Sequence, residues 1–237
     1  MKTQVNINEY QQGSNSHKSL NILVVGATGG SGRATVEKLL SEGHRVTAYS
    51  RSANQLVDTS GLLVTINGNV TDSVELDRAI QGQQVIIVTL GINENPLRVR
   101  FFGSARTTND VRSMGTRNVI TAMRKHGVQR LIVQSSFGVG ETRGLLGFVD
   151  QLFFDLILKP QIDDTEAQEK EVRNSGLDWT IAQPVHLTDE DSGVFPFLSA
   201  KGQTRLMKVA RKSVAKFLAL AAREESGYIG QSVAISG

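Results

Sequence analysis

Asn21-Ile22-Leu23-Val24-Val25-Gly26-Ala27-Thr28-Gly29-Gly30-Ser31-Gly32 reads as a buried strand turning directly into a helix. Ile22 to Val25 is a short apolar run of the kind that a parallel sheet covers on both faces. The three spaced glycines have separate tasks. Gly26 permits the tight turn, Gly29 removes the Cβ that would keep a phosphate off the backbone, and Gly32 lets the first helical turn pack close to the strand. The helix then opens with free N–H groups and the positive end of its dipole, which together suit a pyrophosphate. Glycine turns also join strands to helices that bind nothing, so the reading depends on the turn lying inside a βαβ unit.

The surrounding sequence supplies that unit. A helical period from Ser31 turns Ala34, Val36, Leu39 and Leu40 inward until Gly43 ends it, and Val46–Ser50 follows as a second strand. Leu62–Ile66 is a third strand, Thr71 or Asp72 caps a helix through Ile80, and Val85–Leu90 is a fourth strand ending at Gly91. A helix from about Asp110 to His126 and a fifth strand, Arg130–Ser135, continue the alternation. After Pro160, which breaks the helical pattern, a helix is expected from Asp163 or Asp164 to Asn174. Trp179–Ala182, Phe195–Ala200 and Ser232–Ser236 read as extended, and Ser213–Arg223 as helical. Regular alternation predicts a single α/β domain: a Rossmann-type, doubly wound parallel sheet with right-handed crossovers, spanning residues 20–237.

Three stretches stand apart. Residues 1–19 are polar and aperiodic and are expected to form a flexible tail, or else an extension that docks on a partner. Ile92–Thr107 is longer than an ordinary βα connection. Leu145–Leu158 is strongly apolar and is open to three readings: core helix, wall over a substrate, or dimer face.

The chain of 237 residues is long enough for a core that needs no staples. It has no cysteine, and its four histidines, His17, His44, His126 and His186, are scattered, so no thiolate, disulfide or clustered metal site is expected. No apolar run approaches the roughly eighteen residues of a membrane span, and a cytoplasmic location without a membrane partner is expected. The formal charge of +3 comes from dispersed Lys and Arg rather than a stripe, which argues against nucleic acid and suits a small anionic ligand.

Arg51 directly follows the second strand, where a dinucleotide fold places the adenosine ribose. It is either a solvated charge or a fork of donors for a ribose phosphate, and the lack of an acid beside it favours the second. Arg33 could share that phosphate or face water. Ser136 could make a local backbone bond or orient a ligand at the sheet's carboxyl end. His186 is either a loop histidine or a proton donor, and Asp163 and Asp164 are helix-end acids or catalytic ones.

Gly26–Gly32, Arg51, Ser113-Met114-Gly115-Thr116-Arg117-Asn118 and Ser175-Gly176-Leu177-Asp178-Trp179-Thr180-Ile181 together resemble the atypical short-chain dehydrogenase/reductases of the NAD(P)H-binding, NmrA-like group. The likeness runs from Leu20 to Gly237 and is similar in flavour to flavin reductase and biliverdin reductase B type proteins. It implies NADP(H) across the sheet edge, with Gly26, Thr28, Gly29, Gly30, Ser31 and Gly32 around the pyrophosphate and Arg51 on the ribose phosphate. It further implies Asn69 and Val70 near the adenine, Leu90, Gly91, Ser135 and Pro184 along the cofactor, and Ser136 as the catalytic residue on the substrate side of the nicotinamide.

The chain departs from that pattern. Gln161 and Thr165 stand where short-chain dehydrogenases carry Tyr and Lys, Asn69 where many relatives have Asp, Gln55 where a second basic residue is common, and Gln183 where Arg precedes the proline. The resemblance therefore implies an NADP(H)-dependent reductase acting on a flat, flavin- or quinone-like acceptor, for which the protein aligns and the cofactor reacts. The alternative is a non-catalytic NADP(H)-binding redox sensor. A small-molecule substrate and a monomer or homodimer are expected.

Overall fold

The computed structural model describes residues 18–91, 108–145, 147, 159–190, 193–223 and 226–237. The expected tail through residue 17, the long connection Ile92–Thr107 and nearly all of the apolar Leu145–Leu158 stretch lie outside the described residues.

Eight strands form one sheet in the order β3-β2-β1-β4-β5-β6-β10-β8. They are β1 Asn21–Val25, β2 Arg45–Ser50, β3 Leu63–Asn67, β4 Val85–Val88, β5 Arg130–Gln134, β6 Asp178–Pro184, β8 Phe197–Ser199 and β10 Gln231–Ser236. All neighbours pair in parallel except β8, which runs antiparallel to β10, a closing edge that the alternation pattern does not encode. The chain order reverses between β1 and β4, so the carboxyl ends of those strands define the switch point where α/β sheets bind ligands.

Helices α1 (Gly30–Ser41), α2 (Ser73–Ile80), α3 (Val111–His126), α4 (Lys159–Arg173) and α5 (Arg211–Ala221) cover both faces. Ile22, Val24, Ile87 and Ile132 point to one side and bury against α1 and α5. Leu23, Val25, Ile86, Val88 and Val133 point to the other, against α2, α3 and α4. Alternate residues of one continuous apolar run thus feed two cores, as a doubly covered sheet requires.

One expectation needs correction. The helix placed after Pro160 begins earlier, at Lys159. Pro160 therefore lies within the described helix. A second small sheet pairs β7 (His186–Thr188) in parallel with β9 (Lys208–Ala210), strands too short to show a period in the sequence. Asp164 settles between its two earlier readings in an unforeseen way. From α4 its carboxylate accepts the N–H groups of Arg112 and Ser113 (3.0 Å each) and the Ser113 hydroxyl (2.6 Å), capping α3, whose own N-cap Asp110 makes no such bond.

Glu42 ties the C-terminal ends of α1 and α5. Lys38 Nζ lies 2.9 Å from it, Arg223 Nη2 donates to it at 3.3 Å, and His44 Nε2 is 3.7 Å away. Burial alone would raise its pKa, but the bonds and charges of His44, Lys38 and Arg223 outweigh this and hold it near 2 rather than 4.5. A folded pKa below the unfolded one gives stability that is present above about pH 4.5 and is lost as pH falls towards 2. Glu42→Gln should therefore be less stable at pH 7 and lose less on acidification; urea unfolding at pH 6 and pH 3 checks this, and parallel losses in both proteins would refute it.

Candidate functional site

The glycine turn lies at the switch point. Gly26 adopts φ +85°, its N–H donates to the Tyr49 carbonyl (2.9 Å), and a Cβ there would stand 2.8 Å from the Thr89 carbonyl oxygen. A Cβ on Gly32 would overlap the Gly26 carbonyl oxygen, so the helix can reach the strand only without a side chain. Gly29 is different: it is the N-cap of α1, and a Cβ there meets only Gly26 O at 3.4 Å. No side chain caps α1, which leaves its first N–H groups to an anion. These are the features a pyrophosphate needs, and the residues fit that group.

Around the turn the structure gathers further donors. Thr28 Oγ1 donates to Ser50 Oγ (3.1 Å), and Ser52 Oγ donates to Thr28 Oγ1 (3.4 Å), so hydroxyls from the turn and from the end of β2 cluster beside the exposed Arg51. Ser31 is buried and its carbonyl accepts the Thr35 hydroxyl (2.7 Å). Arg33 faces solvent. Next to β2, the Tyr49 hydroxyl donates to the Asn69 carbonyl (3.0 Å), and Asn118 Nδ2 donates to the Val70 carbonyl (3.0 Å), which fixes the Asn69–Val70 backbone. Burial, with the charges of Glu75 and Asp72, raises the Tyr49 pKa to about 12, so it remains a donor.

The strongest addition to the expected set is Arg211. Thr188 pairs with Ala210 in the small sheet, so Asp189 and Arg211 emerge side by side, and Arg211 Nη1 donates to Asp189 Oδ1 at 2.6 Å. The arginine's Cδ and Nε lie 2.7 Å from where a Cβ on Gly30 would stand. A cation therefore rests against the glycine turn, and Gly30 is small to admit it. Sequence reading missed it because the pairing depends on two three-residue strands. An Arg opening a helix right after a strand was its only local signal.

Along the other half of the edge, Leu90 is half-buried and Gly91 exposed at the end of β4, and Pro184 is buried at the end of β6. Of the paired serines, Ser135 is buried and its hydroxyl donates to Glu169 Oε1 (2.5 Å). The same carboxylate accepts Gln183 Nε2 (2.9 Å) and Arg173 Nη1 (2.9 Å), so the unusual Gln183 is matched by an equally buried acid on α4. Ser136 is the half-exposed member, with its hydroxyl on the Phe137 carbonyl (3.1 Å). Gln161 and Thr165 occupy the first turns of α4, where the Thr165 hydroxyl bonds back to the Gln161 carbonyl (2.6 Å). His186 is exposed in β7. Among the described residues no group of three His, Asp or Glu side chains could hold a metal ion, and no helix is long and apolar enough to cross a membrane.

A family model described as NAD(P)H-binding matches residues 26–225, from the first glycine of the turn to beyond α5. The chain belongs to the NAD(P)H-binding family. Among curated proteins, this NAD(P)H-binding chain is 29% identical over 189 residues to an uncharacterised chloroplastic protein of Arabidopsis thaliana, covering 77% of the chain and 64% of that protein. It is 30% identical over 117 residues to a 2-alkyl-3-oxoalkanoate reductase of Stenotrophomonas maltophilia, covering 49% of the chain and 33% of that enzyme. The chain thus spans less than two thirds of the length of either relative.

Solved structures agree on the fold. A Rossmann-fold NAD(P)-binding family protein from Shigella flexneri superposes with TM-score 0.67 at 25% identity, over 92% of this chain and 93% of that one. ChuY, an anaerobilin reductase from Escherichia coli O157:H7, gives 0.73 at 22% over 91% and 96%. A short-chain dehydrogenase/reductase from Veillonella parvula in complex with NADP gives 0.74 at 18% over 93% and 95%.

Proposed function

We propose that the chain is an NADPH-dependent reductase of a flat, conjugated small molecule, a flavin- or quinone-like acceptor, working in a reducing compartment such as the cytoplasm. The observation that carries this reading is the anion turn, sterically ready at Gly29 and flanked by Arg211, Arg51 and the Thr28–Ser50–Ser52 hydroxyls. Bound NADPH would supply the hydride. The chain's own residues hold and orient: the N-terminus of α1 takes the pyrophosphate, Arg51 the 2'-phosphate, the Asn69–Val70 backbone the adenine, and Leu90, Gly91, Ser135 and Pro184 border the remainder. Ser136 offers its half-exposed hydroxyl to the acceptor. Gln161 and Thr165 cannot replace a Tyr/Lys acid–base pair, which suits an acceptor whose reduced form takes its proton from water. An anaerobilin reductase and an NADP-bound short-chain dehydrogenase/reductase sharing this fold are compatible with this reading.

The same lack of an acid–base pair favours a second reading, an NADP(H)-binding redox sensor. Steady-state NADPH oxidation with a panel of flavins and quinones separates the two. Turnover with any of them supports the reductase; binding of NADPH with no turnover across the panel favours the sensor.

Arg211 has its own expected signature. If it clamps the pyrophosphate, Arg211→Ala weakens NADPH and NADH alike by about ten-fold, the worth of one charge-assisted bond. Asp189 competes for the same guanidinium, so Asp189→Asn tightens both cofactors. Calorimetric titration reads each change, and an effect confined to NADPH would move Arg211 to the ribose phosphate.

A further inference from the structure

Arg112 is a partly buried cation without an acceptor for part of its guanidinium. Its Nη1 is fully buried and has no hydrogen-bond partner, and its Nη2 lies 3.4 Å from where a Cβ on Gly91 would stand, so the group reaches the carboxyl end of β4. Three physical costs meet there. An arginine in the first turn of α3 sits at the positive end of the helix dipole. Burial disfavours its charge, and Asp164 offsets this only in part. The carboxylate of Asp164 is already engaged by the N–H groups of residues 112 and 113 and by the Ser113 hydroxyl, so it does not take the orphaned Nη1. Buried donors in native structures are nearly always paired, and an orphan at the mouth of a binding edge calls for a ligand acceptor.

The dinucleotide does not provide that acceptor in the arrangement proposed above. Its phosphates are assigned to α1 and to Arg51, whereas Arg112 belongs to α3, on the opposite face of the sheet from α1. Gly91 follows β4, which lies between β1 with the glycine turn and β5 with Ser136. Resting on the reductase reading, we propose that Arg112 binds an anionic substituent, a carboxylate or phosphate, of the acceptor, so that the substrate is a planar ring system with an acidic tail. The guanidinium fork suits either group bidentately, and Asp164 is a positioning residue that holds the first turn of α3 beneath it.

The test uses pairs of acceptors that share a ring and differ only in charge: FMN against riboflavin for phosphate, and anthraquinone-2-carboxylate against 2-(hydroxymethyl)anthraquinone for carboxylate. Titrating the NADP+-saturated full chain measures binding without turnover. The anionic member of at least one pair should bind roughly ten- to hundred-fold tighter, as expected for a charge-assisted bidentate contact. The pair that shows it identifies the anion. Arg112→Met should abolish the preference with NADP+ affinity unchanged, and Arg112→Lys, which keeps the charge but loses the fork and guards against misfolding of the first variant, should retain part of it. No preference in either pair, or an unchanged preference in both variants, overturns the proposal. Loss of NADP+ affinity with the preference intact would also overturn it, assigning Arg112 to the cofactor. A preference without NADPH oxidation would leave the anion site standing and refute the reductase reading alone.

Discussion

Gly29→Val is expected to abolish NADPH binding, a loss of about a hundredfold or more, in a chain that still folds. The three glycines of the turn look alike in sequence but differ in what they meet. Gly26 needs its positive φ and its lack of a side chain against Thr89, and Gly32 needs to pass the Gly26 carbonyl. Substitutions at those two positions should damage the fold itself. Gly29 has φ −67° and ψ 161°, extended backbone open to valine, and its Cβ direction meets only Gly26 O at van der Waals distance. The protein alone does not require glycine there. The free space lies over the uncapped first turn of α1, where a phosphate would sit, and a valine side chain would fill it. Circular dichroism melting and calorimetry on the same sample separate folding from binding. A folded variant that binds NADPH as the wild type does would remove the pyrophosphate from this turn.

Arg51→Ala is expected to weaken NADPH by about ten- to hundred-fold, equivalent to a charge-assisted contact of roughly 1.5 to 3 kcal/mol, with NADH nearly unaffected. No carboxylate follows β2 to bond a free ribose hydroxyl or to repel a phosphate, since Ser50, Arg51 and Ser52 are succeeded by Ala53, Asn54 and Gln55. The hydroxyls of Thr28, Ser50 and Ser52 are already gathered beside the arginine. Because Arg51 is exposed, the wild-type preference should also shrink as salt is raised. Equal loss of both cofactors would make Arg51 structural. Together with Arg211, whose removal should cost both cofactors equally, the two arginines give opposite patterns and can be told apart in one set of titrations.

The sheet and the glycine turn were legible because their signals are local. An apolar run bounded by glycines and a helical period that follows it are each contained in a dozen residues, and the alternation of such units fixes a parallel order. The same locality places Arg51 at the end of β2, whereas Asn69 and Val70 were named only through the family resemblance. What escaped is what depends on distant partners. Arg211 reaches Gly30 because β7 and β9 pair, Glu169 meets Ser135 and Gln183 because α4 packs behind β5 and β6, and Asp164 caps a helix other than its own. In the sequence these are ordinary charges on helices, and only packing gives them a task. The start of α4 was misplaced because a proline in the sequence signals a helix boundary, yet the described helix already includes Pro160.

Titration of the full-length chain with NADPH and with NADH tests the central claim most directly. One saturable site is expected, with NADPH bound about ten- to hundred-fold more tightly than NADH at low salt. Equal affinity for the two cofactors, or no binding of either, would contradict it.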